Sequence, residues 1–155
     1  MPEDTDHELI SRALQGNQKA FRKIVEGYQS VAYAVVRAIL GDRDDVEDVL
    51  QNVFIKVYKG LHSFRGDAKL STWIYRIARN EAINAVAKSG KNLQPLEDME
   101  LAAPEEDGPE ARLGKRELRG QMDIALSRLD EAQRVAIELR YMSERSYHEI
   151  AEIMG

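Results

Sequence analysis

Between residues 64 and 80 aromatic and cationic side chains interleave: Phe64, Arg65, Lys69, Trp73, Tyr75, Arg76 and Arg79, closed by Asn80. Single-stranded nucleic acid is held by such mixtures, because ring faces stack bases of any sequence while guanidinium and ammonium groups neutralise phosphates. Arg76, Asn80 and Asn84 recur every four residues along a polar helical stripe, and amide and guanidinium groups can pair with base edges. Trp73 stands four residues before Ile77 on the apolar stripe, so core packing suits it as well as stacking does. Residues 61–92 hold Asp67 and Glu81 against Arg65, Lys69, Arg76, Arg79, Lys88 and Lys91, a net of +4. A basic island of this kind points to one local polyanion contact, although a solvated helix face gives the same count.

Other chemistry finds little support. His7, His62 and His148 are isolated from any partner at metal-ligand spacing, so each reads as a surface side chain and no metal site is expected. Asp42-Arg43-Asp44-Asp45 has the look of a calcium loop. An EF-hand needs Gly at its sixth position and a bidentate acid at its twelfth, and Glu47 and Val53 stand there instead. The chain shows no Gly-rich phosphate loop, no nucleophile elbow and no His base beside a nucleophile, so neither an enzyme nor a cofactor is expected. Cysteine is absent, which excludes disulfides and thiolate chemistry and fits a reducing cytoplasm. No apolar run approaches the roughly 20 residues of a membrane span, and the acidic Met1–Asp6 start is no secretory signal.

The 155 residues, 43% apolar and 32% charged, suffice for a core. Their net charge of −5 sits against a free-standing DNA-binding protein, which is usually basic. The elements that must position the basic island read as helices throughout. Thr5 with Glu8 forms a capping box ahead of Leu9, Ile10, Ala13 and Leu14. Asn17 caps a second helix, broken near Gly27. Tyr28–Leu40 is apolar on all sides, as in the centre of a bundle, and ends at Gly41. Asp42 or Asp44 caps the next helix, whose apolar series is Val46, Val49, Leu50, Val53, Phe54, Val57 and Tyr58, closed by Gly60. Leu61–Leu70 is a loop containing Gly66. Ser71 then caps a helix to about Lys88 with Trp73, Ile74, Ile77, Ala78, Ala82, Ala85 and Val86 as its buried stripe. No segment alternates, so the fold class is all-α.

Residues 91–110 carry Pro95, Pro104, Gly108 and Pro109 in an acidic stretch that reads as a flexible linker. Domains are therefore expected at 1–90 and 111–155. The second contains helices near 110–129, 131–141 and 147–154, with Leu126, Leu129, Val135, Ala136, Leu139, Ile150 and Ile153 as its own small core. Ser146–Gly155 looks like the first helix of a helix-turn-helix, with Ala151 permitting close packing and Gly155 the turn. An ordinary amphipathic helix ending in Gly reads the same way. The pattern stops inside the turn, so the expectation is a partial helix-turn-helix without its recognition helix, cut from a longer chain.

Asp45-Val46-Glu47-Asp48-Val49-Leu50-Gln51-Asn52-Val53-Phe54-Ile55-Lys56-Val57-Tyr58 resembles region 2.2 of bacterial extracytoplasmic-function (ECF) sigma factors. Phe64-Arg65-Gly66-Asp67 and Ser71–Asn80 resemble regions 2.3 and 2.4. Gly16-Asn17 with Ala20-Phe21 resembles the start of region 2.1, and Leu129–Gly155 resembles region 4.1 and the start of 4.2. The resemblance implies a transcription initiation factor built from a helical sigma domain 2, an acidic linker along the path of nascent RNA, and a truncated sigma domain 4. Its partners would be the RNA polymerase core, docked through the coiled coil of the largest subunit, the non-template strand of the minus-ten promoter element, and an anti-sigma factor. Asp45, Asp48, Gln51, Asn52, Phe54 and Ile55 would face the polymerase, with Asn52 replacing the family's usual acid. Phe64, Arg65, Lys69, Thr72, Trp73, Arg76, Arg79, Asn80 and Asn84 would face promoter DNA, the loop capturing a flipped base. The basic tail usual after region 2.4 is reduced here to Lys88 and Lys91. Two other readings remain: a sigma fragment that only binds polymerase or an anti-sigma factor, and an independent helix-turn-helix repressor.

Overall fold

Side-chain caps written in the sequence start several of the helices, and one long helix gathers them. The computed structural model describes residues 4–41, 44–89 and 109–155. Its regular elements are the helices α1 (Asp6–Leu14), α2 (Gln18–Leu40), α3 (Val46–Gly60), α4 (Leu70–Lys88), α5 (Pro109–Ser127), α6 (Glu131–Met142) and α7 (Tyr147–Met154), with a short 3-10 turn at Leu61–Ser63. Among the described residues there is no strand, as the all-α reading requires.

The Thr5 capping box forms as expected. Glu8 N–H donates to Thr5 Oγ1 at 3.4 Å, and Thr5 N–H donates to Glu8 Oε2 at 3.0 Å. Asn17 Oδ1 accepts from the backbone of Lys19 at 3.0 Å and of Ala20 at 3.2 Å, satisfying two of the donors that a helix start leaves open. From there α2 runs unbroken to Leu40, straight through Gly27. A glycine within a helix costs about 1 kcal/mol, too little to break a helix anchored by Ala20 and Ile24 on one side and Val31, Val35 and Val36 on the other, all fully buried. Gly41 ends α2 at φ +69°, a conformation that L side chains rarely adopt.

Two further caps differ from expectation. Asp45 holds the cap position of α3, without a side-chain capping bond, in place of Asp44; Asp42 lies outside the described residues. Lys69 rather than Ser71 precedes α4, because the extended backbone at Lys69 lets Leu70 enter the helix and bury itself. In α3 the i, i+3, i+4 series buries Val46, Val49, Val53 and Val57 but leaves Tyr58 on the surface. Lys56 of α3 pairs with Glu81 of α4 across the junction of the two helices.

Helix α2 is the hub, packed by α1, α3, α4 and α6, while α7 packs on α4 and α6. The expected separate core of the C-terminal helices does not form. Val135 and Leu139 of α6 and Ile150 and Ile153 of α7 are buried in the same apolar cluster as the side chains of α2 and α4. Leu126 and Leu129 are only half-buried. Stripes too small for a core of their own are satisfied by closing onto α2 and α4. The expected linker lies largely outside the described residues, and α5 begins at Pro109.

Candidate nucleic-acid interface

The basic island occupies the 64–69 loop and α4, and the structure sorts its side chains into three groups. Arg65, Arg76, Asn80 and Asn84 are exposed. The last three lie one turn apart along α4, which gives a polar strip about 12 Å long at 1.5 Å per residue, room for two or three nucleotides. Phe64 and Trp73 form the second group. Their rings stand 5.1 Å apart at 49°, both half-buried. Trp73 reaches back over the end of α3, where a methyl at Gly60 would lie 3.1 Å from Trp73 Cζ2, so Gly60 is needed for that approach. The Trp73 ring thus shares its area between the core and the loop.

The third group is already occupied. Arg79 Nε donates to Glu131 Oε1 at 2.5 Å and Arg79 Nη2 to Glu131 Oε2 at 3.4 Å. Lys69 Nζ pairs with Glu152 Oε2 at 2.8 Å. Thr72, only 4% exposed, donates from Oγ1 to the Glu152 carbonyl at 2.7 Å. The hydrogen bond and charge of Lys69 hold the Glu152 carboxyl below the ordinary glutamate value. Burial raises the Tyr75 phenol on α4, against the opposing charge of Arg79.

Loop and helix also border a cavity of ≈ 480 Å³, lined by Tyr28, Phe64, Gly66, Lys69, Glu149 and Ile153 among others. Tyr28 donates to Asp6, and burial together with that carboxylate pushes its phenol well above the ordinary range, so it stays a hydrogen-bond donor at any physiological pH. Gly66 sits at φ +77° and turns the loop at the cavity mouth.

A second surface lies on α3. Asp48, Gln51, Asn52 and Ile55 are exposed and Phe54 is half-buried. Asp45, half-buried at the helix start, lies beyond the end of this strip. Beside the strip runs an open apolar groove of ≈ 910 Å³ between α2 and α3, formed by Phe21, Val25, Tyr33, Phe54, Ile55 and Tyr58 and closed at one side by Met142 of α6. Tyr58 is 63% exposed, and its ring meets Phe21 edge to face at 5.0 Å and 77°. Sequence reasoning placed Tyr58 in the core. The signal against that was present: Tyr58 follows Ile55 by three and Gln51 by seven, on their strip. Among the described residues no group of three or more His, Cys, Asp or Glu could hold a metal, and no helix is long and apolar enough to cross a membrane.

Residues 24–92 match Sigma-70 region 2, and residues 119–155 match Sigma-70, region 4. The chain is 40% identical over 161 residues to the ECF RNA polymerase sigma-E factor of Escherichia coli (strain K12), covering 97% of this chain and 83% of that protein. It is 38% identical over 162 residues to the protein of the same name from Haemophilus influenzae, covering 97% and 84%. An engineered region 2 of sigmaE, solved by NMR in complex with GTAAAA, superposes with a TM-score of 0.53 at 43% identity over 58% of this chain and 95% of that one. CnrH, solved in complex with the cytosolic domain of CnrY, shares the fold over 97% of this chain and 82% of its own, with a TM-score of 0.62 at 24% identity.

Proposed function

The chain belongs to the extracytoplasmic-function sigma factors of the sigma-70 family and is a promoter-recognising transcription initiation factor; from that premise we propose which of its surfaces does which part of the work. Residues 1–90 are the domain that engages both polymerase and the minus-ten element, 91–110 the linker, and 111–155 the region 4 portion. The 64–69 loop and the exposed face of α4 take the non-template strand. The observation that carries this is the strip Arg76, Asn80 and Asn84, whose three side chains stay exposed on a helix otherwise packed on both sides. Arg65 and Arg76 neutralise phosphates, and Asn80 and Asn84 offer amides to base edges. The cavity beside Phe64 and Gly66 has room for one extruded base, and a waiting site offsets the few kcal/mol needed to unstack it.

Asp48, Gln51, Asn52 and Ile55 on α3, with Phe54 and the groove behind them, take the polymerase core. Exposed apolar surface rimmed by polar groups supports that assignment, and the same groove is open to an anti-sigma factor. The chain works by binding, not by making or breaking bonds, and it works in the cytoplasm, where the polymerase is. The acidic net charge of −5 suits a subunit whose DNA affinity comes largely from its complex.

The test is a forked minus-ten probe with and without core polymerase. Asp48→Ala with Gln51→Ala is expected to abolish assembly while leaving helix content unchanged. Arg76→Ala with Asn80→Ala is expected to leave assembly intact and to weaken strand binding at least tenfold. It should also lower the salt slope by about 0.7, the change that follows when one cation no longer neutralises a phosphate of a single strand. Wild-type strand affinity in the second variant would refute the placement on α4.

A further inference from the structure

Residues 61–92 hold two acids, and the structure treats them differently. Asp67 is exposed in the loop. Glu81 lies on α4, next in sequence to Asn80 and three positions before Asn84. Residues three apart on a helix stand about 5–6 Å from one another, so this carboxylate borders the strip to which the strand is assigned. An acid in that place repels nearby phosphates unless something cancels its charge. The Glu81 side chain is only 12% exposed, and Ile77 and Ala85, four residues to either side of it, are half-buried. A carboxylate so placed has little water to screen it and is costly to leave unpaired. Lys56 of α3 supplies the partner: its Nζ pairs with Glu81 Oε1, while the lysine side chain stays 57% exposed. Gly60, four residues after Lys56, lies against the Trp73 ring. The C-terminal half of α3 is thus laid along α4 between Trp73 and Glu81. Lys56 stands at the seam of the two candidate surfaces, four residues from Asn52 on the α3 strip and one ion pair from the α4 strip.

We propose that Lys56 is a positioning residue for strand binding that acts through Glu81: it masks the negative charge at the edge of the α4 strip without itself contacting the strand. The proposal rests on the assignment of α4 to single-stranded DNA. A mask, a clamp and a direct contact predict different patterns. If the pair served only to clamp α3 on α4, losing both charges would harm the face as much as losing one. If Lys56 held a phosphate, the loss would follow Lys56 whatever stood at position 81. With a mask, losing both charges is harmless, because no bare carboxylate remains beside Asn80 and Asn84.

The full chain is assembled with core polymerase, at concentrations where assembly of every variant is complete, and titrated with the forked minus-ten probe. Lys56→Met bares Glu81 and is expected to weaken probe binding about fivefold at low salt. That lies between the limits Coulomb's law gives for a phosphate about 8 Å away under water-like and surface-like screening. The ratio to wild type is expected to shrink as salt rises, since the Debye length falls from about 30 Å at 0.01 M to about 10 Å at 0.1 M. Lys56→Met with Glu81→Gln is expected within about twofold of wild type, and so is Lys56→Arg, which keeps the charge. Glu81→Gln alone, which keeps the lysine and removes the acid, is expected to bind at least as tightly as wild type. Lys19→Met, at an exposed lysine of α2, removes the same bulk charge and is expected to change nothing. Wild-type binding by Lys56→Met overturns the proposal. So does a double variant as weak as Lys56→Met, weakened binding by Glu81→Gln alone, or a loss that does not change with salt. Arg76→Ala with Asn80→Ala on the same complex is the separate arm: wild-type affinity there means that the assignment of α4 has failed, whatever Lys56 does.

Discussion

Replacing Tyr58 by Ala separates what the α2–α3 groove does for the fold from what it does for a partner. In the free chain the ring is 63% exposed and touches Phe21 edge to face at 5.0 Å. Such a pair is worth about 0.5–1.5 kcal/mol, and a side chain mostly in water has little further buried apolar area to give up. The fold is therefore expected to weaken by about 1 kcal/mol, a few degrees of melting temperature. At an interface the same ring would be covered on its second face. Tyrosines buried at the centre of an interface cost about 2 kcal/mol or more on truncation, which is roughly 30-fold in Kd. Tyr58→Phe keeps the ring and the Phe21 contact and is expected within about threefold of the wild type, since the interaction rests on ring area. Equilibrium titration of labelled chain with core polymerase reads the affinity, and thermal melting reads the fold. A Tyr58→Ala chain that melts slightly early yet binds polymerase as tightly as the wild type would refute the use of this groove for docking.

Two further outcomes follow from single positions. Gly27→Ala is expected to raise stability by about 1 kcal/mol, because Gly27 lies within a continuous helix and a methyl there meets nothing within 4 Å; chemical denaturation measures it. The Glu152 carboxyl titrates below its ordinary 4.5 through the hydrogen bond and charge of Lys69. A lowered acid pKa means that its contribution to the stability of the fold is complete above pH 4.5 and is lost as pH falls through the lowered value. Carbon-detected NMR titration is expected to place the midpoint below 4.5, and Lys69→Met is expected to move it up.

What the sequence made legible was local. The helices α6 and α7 stand within a residue of their expected limits because Asp130 with Gln133 and Ser146 with Glu149 form reciprocal capping boxes, signals contained in four residues. The burial of Val49, Val53 and Val57 followed from spacing alone. Gly27 misled because punctuation by a single glycine is overruled by the burial of side chains on both sides of it. Tyr58 misled because an apolar stripe does not say where its edge lies; a tyrosine can end it on either side of the water line. The sequence resemblance proposes residues for both candidate surfaces, but it carries no sign that Lys69, Thr72 and Arg79 are engaged by α6 and α7. Thr72 and Glu152 are 80 positions apart, and no periodicity within one helix encodes a partner on another.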